Sequence, residues 1–250
     1  MKLKMIDIFE YKDINNSKIM KILVFDTETT GLPKNQSSSP TLYSLCDWPY
    51  IVQFSYIVYD TDKNAITTLV DKIIKVPSNI KISKVSTEIH GITDKISQSQ
   101  GHNINETIIN FVNTLKKVDI LVAHNITFDT KMLITEILRM PQKTRSEVSR
   151  KDKLLQSLDI SSYYCTMKQS INLCKIKSYT KKENKEYFKY PTQTELCSYL
   201  FGYEPINMHN SLNDITICLR SFYKMKYNKD ICEESEDMKN RIALLTPTLQ

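Results

Sequence analysis

The sequence predicts an α/β fold on a mixed, partly antiparallel sheet. Three apolar, strand-like runs come first, and the second and third are separated by a short polar turn. After them, segments with helical spacing alternate with short apolar strands.

Met20-Lys-Ile-Leu-Val-Phe25 is a β-type run that leads into Asp26. Pro33 to Ser39 reads as a loop with a Ser-rich tip. Tyr50 to Tyr59 is dense in β-branched and aromatic residues and predicts a second strand. Ile66 to Val76 predicts a third, reached by a hairpin through Asp62, Lys63 and Asn64. Ile104, Ile108, Phe111, Val112 and Leu115 recur at helical spacing. Asp119 to Ala123 predicts a short buried strand, and Thr127 to Leu138 a helix stopped by Pro141. Ile160 to Thr166 predicts a fifth strand. Thr192 to Phe201 and Ser211 to Tyr223 predict two helices, the first ending near Gly202. Residues 1–19 read as an N-terminal extension, 20–227 as one domain with basic insertions over 141–190, and 228–250 as a tail.

With 250 residues, 41% hydrophobic and 25% charged, the chain can bury a full core without metal or disulfide staples. Its six cysteines form no Cys-x-x-Cys pair, which speaks against a zinc ribbon and fits free thiols. Charges interrupt the apolar residues of the N-terminus, so it does not read as a signal peptide. No run approaches the ~20 apolar residues of a membrane span. An intracellular protein, cytoplasmic or nuclear, without membrane partners is the expectation. From Arg139 to Lys189 there are 13 basic and 5 acidic residues, a net of +8 against +6 for the whole chain. Such a segment is either a phosphate-binding surface or a solvated loop.

Three segments carry chemistry. Asp26 and Glu28 alternate at a strand end, so both carboxylates share one face. Adjacent anions repel, and a hard divalent cation is the usual relief. Thr29-Thr30-Gly31 follows with hydroxyls, backbone N–H groups and a glycine suited to a tight turn. In His124-Asn-Ile-Thr-Phe-Asp129, Asn125 or Thr127 can cap the next helix and put Asp129 in its first turn. His209-Asn-Ser-Leu-Asn-Asp214 echoes it, with Ser211 as the expected cap. Read singly, each aspartate is equally a helix-dipole residue without a metal. An imidazole such as His209, just before a helix, can take a proton from a metal-bound water.

Taken together, these segments resemble the DEDD superfamily of 3′→5′ exonucleases. The match is to the branch with a His-x-x-x-x-Asp third motif, which includes the proofreading exonuclease subunit of bacterial DNA polymerase III. The carrying residues are Val24 to Leu32, His90-Gly-Ile-Thr93, His124-Asn125 with Phe128-Asp129, and His209 with Asp214. The resemblance spans roughly residues 20–223 and implies a ribonuclease-H-like fold, a five-stranded mixed sheet flanked by helices. It implies two Mg²⁺ ions, with Mn²⁺ also supporting activity, held by Asp26, Glu28, Asp129 and Asp214. Asp26 would be shared by both ions, and His209 would be the base. Thr29, Thr30, Gly31 and Leu32 would grip the 3′-terminal nucleotide, with His90, Asn125 and Phe128 as further contacts. Cys165-Thr166 stands where relatives often carry Asp-Thr, a position that holds no metal. Lys181, Lys182 and Lys185, interleaved with aromatic residues, are expected to contact substrate. The expected partner is DNA, as single strands or 3′ ends. RNA is the alternative, a non-catalytic nucleic-acid-binding module is a further one, and a polymerase or other protein partner stays open.

Overall fold

The computed structural model describes residues 20–159, 162–181 and 183–247. The expected extension over 1–19, Ile160 and Ser161 of the expected fifth strand, and Lys182 lie outside the described residues.

Five strands form the main sheet: β1 (Lys21–Thr29), β2 (Ile51–Asp60), β3 (Ala65–Ile73), β4 (Ile120–Ala123) and β5 (Tyr163–Cys165), in the order β3-β2-β1-β4-β5. β2 is antiparallel to both β1 and β3, while β4 runs parallel to β1 and β5 parallel to β4. The mixed five-stranded sheet is therefore the expected one. Between β3 and β4 come α1 (Lys84–His90), α2 (Asp94–Gln100) and α3 (Ile104–Leu115). α4 (Ile126–Arg139) and α5 (Arg145–Ser157) link β4 to β5. Two single turns follow, α6 (Thr166–Gln169) and α7 (Ile171–Cys174), and then a separate hairpin of β6 (Lys177–Tyr179) and β7 (Glu186–Phe188). α8 (Gln193–Phe201), α9 (Ser211–Tyr227) and α10 (Glu236–Ala243) complete the described chain. Gly91 and Gly202 end α1 and α8 with φ of 75° and 77°, a backbone that a Cβ would strain.

Alternation along β1 divides the interior into two cores. Leu23 and Phe25 join Phe54, Phe111, Leu133 and Ile137 on the face covered by α3, α4 and α5. Ile22 and Val24 join Ile215, Leu219 and Phe222 on the face covered by α9. Each such fully buried side chain contributes roughly 1.5–3 kcal/mol.

Several local expectations are refined. Residues 145–157 form a helix within the expected insertion. It buries only Lys151 and Leu154, so its composition shows almost no apolar stripe. A capping box between Thr144 and Glu147 starts it, and Lys151 Nζ donates to the Leu138 carbonyl at 2.8 Å. Asn125 does stand at the N-cap of α4, but in left-handed backbone (φ 67°) and without a side-chain cap bond. α9 is capped by the Asn210 side chain, not by Ser211, whose hydroxyl is buried against Ser55. In the expected tail, Met238, Ile242 and Leu245 are buried in the second core.

Candidate active site

The side-chain parity of β1 continues past its apolar residues and distributes the acids. Asp26 and Glu28 follow Ile22 and Val24 onto the α9 face. There Asp214, in the first turn of α9, comes to meet them. One carboxylate oxygen from each of Asp26, Glu28 and Asp214 lies within 4.8 Å of the other two. Thr27 points the other way, towards α4. Its backbone N–H and its hydroxyl both donate to Asp129 Oδ1, at 3.1 and 2.8 Å. Asp129 is thus held beside the triad and outside its tightest grouping.

The electrostatics of the four acids show what kind of group suits the site. Burial pushes Asp26 well above the usual carboxylate range, reinforced by the charges of Asp129, Asp214 and Glu28. Burial also raises Glu28 and Asp129 to about 7, the latter against the lowering effect of both Thr27 bonds. Asp214 rises to about 7 through burial and the charges of Glu28 and Asp129. Asp214 Oδ1 is buried without a hydrogen-bond partner. Clustered carboxylates with an unpartnered oxygen and pKa values raised by burial, and for Asp26, Asp129 and Asp214 also by neighbouring charge, fit a divalent cation, which would hold them all ionised.

The other expected residues are distributed unevenly. His209 is exposed in left-handed backbone (φ 66°), and its backbone hydrogen-bonds the Asp214 carboxyl. Leu32 projects with 71% of its surface exposed. Thr29 and Thr30 are buried and largely committed within the protein. Thr29 Oγ1 donates to the Gly31 carbonyl at 2.7 Å, Thr30 N–H to the Tyr50 carbonyl at 2.8 Å, and Tyr50 N–H to Thr30 Oγ1 at 3.0 Å. Gly31 follows without the left-handed backbone expected of a glycine turn. His90 is buried as well: Nδ1 accepts from Ile92 N–H at 3.1 Å, so Nε2 donates to the Thr29 carbonyl at 3.2 Å. Burial lowers its pKa. His90 therefore braces the end of β1, and any substrate contact falls to its ring surface. Phe128 is half-buried against the first core. Lys181 and Lys185 are exposed in the turn between β6 and β7.

Sequence reasoning missed Thr27, although its place between two acids on a strand sends it to the opposite face. It also missed Gln193, whose Nε2 donates to the Asp214 carbonyl at 2.5 Å. His124 proves to be structural: Nε2 donates to the Pro191 carbonyl at 3.1 Å, Nδ1 lies 3.0 Å from Thr166 Oγ1, and burial lowers its pKa to about 4.

The fold and this acidic site define a ribonuclease-H-like nuclease. Residues 23–222 match the RNase T exonuclease family, and the chain belongs to that family. No curated protein matches the chain. Among solved structures, it is similar to Escherichia coli exonuclease I in complex with a dT13 oligonucleotide, at 16% identity and a TM-score of 0.54 over 83% of this chain and 42% of that one. Exonuclease I from Methylocaldum szegediense aligns at 17% identity and TM-score 0.51, over 84% and 41%. A 3′-exonuclease that recognises the histone mRNA stem-loop aligns at 13% identity and TM-score 0.54, over 84% and 65%. The chain spans about two fifths of the length of the exonuclease I structures. No described helix is long and apolar enough to cross a membrane.

Proposed function

We propose that the chain is a divalent-cation-dependent 3′→5′ exonuclease that removes nucleoside monophosphates from the 3′ ends of DNA. The observation that carries this reading is the convergence of Asp26, Glu28 and Asp214 within 4.8 Å, with Asp129 held alongside by Thr27. Asp26, charged against all three other acids, is the residue suited to serve two ions. Glu28 and Asp214 would complete the protein ligands of one, and Asp129 would hold the other. Bound there, Mg²⁺ or Mn²⁺ supplies Lewis-acid activation of water and phosphate. His209 accepts the proton of the attacking water, from an exposed segment free of the buried bonds that occupy His90 and His124. Leu32 packs on the terminal base. The turn at Thr29, Thr30 and Gly31, fixed from behind by His90 and Tyr50, is the wall that admits a chain end. Asn125 and Phe128 line the α4 side. Proofreading for a polymerase and repair of DNA ends would both use this activity.

An exoribonuclease is the second reading, favoured by the similarity to the 3′-exonuclease acting on histone mRNA. The deciding experiment gives labelled single-stranded DNA, duplex DNA and RNA of one sequence to the protein with Mg²⁺, Mn²⁺ or EDTA. Metal-dependent release of mononucleotides from the free 3′ end is expected, with circles and 3′-blocked strands resistant. Cutting of circles, or undiminished cleavage by Asp26→Ala, defeats the mechanism.

A further inference from the structure

The β6–β7 hairpin has no part in the acidic site, yet its strands are built for contact. Lys177 pairs with Phe188, Ser178 with Tyr187, and Tyr179 with Glu186. Directly paired and alternate residues share a face, so Lys177, Tyr179, Glu186 and Phe188 lie together. All four are exposed, and Tyr190 follows Phe188 two residues on, also exposed. The opposite face carries Ile176 and Ser178, which are partly covered, and Tyr187, which is exposed. Tyr179, Phe188 and Tyr190 expose 54%, 40% and 53% of their surface, so they do not pack on the domain as core residues would. From Lys175 to Tyr190 there are six lysines and two glutamates. Lys177 is paired with Glu186 at 3.2 Å, and Lys189 with Glu195 at 2.5 Å, which leaves the remaining excess towards the hairpin tip and its N-terminal base.

The hairpin is anchored at the site. Pro191, directly after Tyr190, accepts from His124, whose neighbour Asn125 opens the helix that carries Asp129. Gln193, two residues further, donates to the Asp214 carbonyl. The exposed aromatic strand therefore emerges from the rim shared by the second and third acidic motifs.

We propose that this face binds the single strand upstream of the 3′-terminal nucleotide, with Tyr179, Phe188 and Tyr190 as stacking platforms and the lysines matched to its phosphates. Aromatic rings and lysines in one strip recognise any single strand, because every base has a π-face and every link a phosphate. The proposal rests on the nuclease reading above and adds to it a second contact zone, and hence a dependence on strand length.

The test compares wild type with the triple variant Tyr179→Ala, Phe188→Ala, Tyr190→Ala, using a trinucleotide and a 20-nucleotide single strand. Binding is followed by fluorescence anisotropy in EDTA, and cleavage in Mg²⁺. Circular dichroism and melting check that the variant is folded; these side chains are exposed, so little stability should be lost. Each ring in use should contribute about 5- to 100-fold in affinity for the long strand. On this proposal the trinucleotide occupies the terminal site alone and should be cleaved equally by both proteins. Equal affinity of both proteins for the long strand overturns the proposal and leaves the face to a protein partner. An equal loss on both lengths also overturns it, since the rings would then act at the terminal site. Should wild type cleave neither substrate, the nuclease reading fails by itself, while the anisotropy still decides whether the hairpin holds a strand.

Discussion

Thr27 holds Asp129 twice, through its backbone N–H and through its hydroxyl, and so ties β1 to the first turn of α4. Both bonds favour the ionised carboxylate, opposing the burial that raises its pKa to about 7. Thr27→Val keeps the shape and the backbone bond but removes the hydroxyl. A hydrogen bond to a charged group contributes about 1.5–3 kcal/mol, so cleavage at neutral pH should fall roughly 10- to 100-fold. The Asp129 pKa should rise, moving the acid limb of the pH–rate profile upward. An unmoved limb and an unchanged Mg²⁺ requirement would show that packing alone orients Asp129.

The acids also set a pH dependence of stability. Glu28, Asp129 and Asp214 titrate near 7 in the fold and within the ordinary carboxylate range when unfolded. Between those limits the unfolded chain binds fewer protons, so the metal-free fold loses stability as pH rises from about 4 to about 7. A divalent cation such as Mg²⁺ would bind the ionised carboxylates, so its stabilisation should grow over the same window. Thermal melts in EDTA and in Mg²⁺ across this range read both trends. Asp26→Asn removes the charge that faces the other three. At mildly alkaline pH its metal-free form should melt above the wild type and gain little from Mg²⁺. A metal-free melting curve that improves towards neutral pH would contradict this account.

The main sheet and the placement of the four acids on their elements could be read in the sequence because they depend on local pattern. β-Branched and aromatic runs mark β1 to β3, and Asp26 and Glu28 alternate on a strand whatever packs above it. Which side chain performs a local task depends on tertiary neighbours instead. Ser211 is suited to capping, yet Ser55 and Gln53 claim it, and Asn210 caps α9. His90 looks available, but the Thr29 carbonyl and the Ile92 N–H use both its nitrogens. α5 escaped notice because a helix buried at only two positions shows no stripe, although Thr144 and Glu147 carried the spacing of a capping box.

His209 stands in left-handed backbone, which limits the substitutions that can test it cleanly. Asn tolerates that conformation and has no side-chain base, so His209→Asn should preserve the segment and the backbone bond to Asp214. A lost general base slows chemistry about 10²- to 10⁴-fold, while Mg²⁺ and strand affinities should hold. Single-turnover rates at saturating substrate are the measure. Rates equal to wild type would assign the proton to bulk water.

The last prediction concerns how α9 is placed. Ser211, its first residue, sits 2.5 Å from Ser55 Oγ, and the Ser55 hydroxyl donates to Asp71 Oδ1 at 2.7 Å. Ser55 has a single proton, so Ser211 must be the donor to Ser55. In parallel, Ser211 N–H donates to Gln53 Oε1 at 3.3 Å, and Gln53 Nε2 donates to Asp71 Oδ1 at 2.8 Å. Two chains of donors thus run from the start of α9, across β2, to one carboxylate on β3. Asp214 follows Ser211 by three residues, so this network sets where its carboxylate meets Asp26 and Glu28. Ser55→Ala leaves the buried Ser211 hydroxyl without its acceptor, a cost of about 1–3 kcal/mol. For a domain of this size the melting temperature should then fall by roughly 2–4 °C per kcal/mol. Asp71→Ala removes the common acceptor from the edge strand β3, two strands away from Asp26 in register. The expected result is a kcat about 10-fold lower with KM little changed, since α9 loses position while the strand-binding wall stays intact. Asp71→Asn retains an acceptor oxygen and should recover part of the loss. If Asp71→Ala lowers the melting temperature but leaves kcat at the wild-type value, the packing of Ile215, Leu219 and Phe222 places Asp214 on its own, and the network serves stability alone.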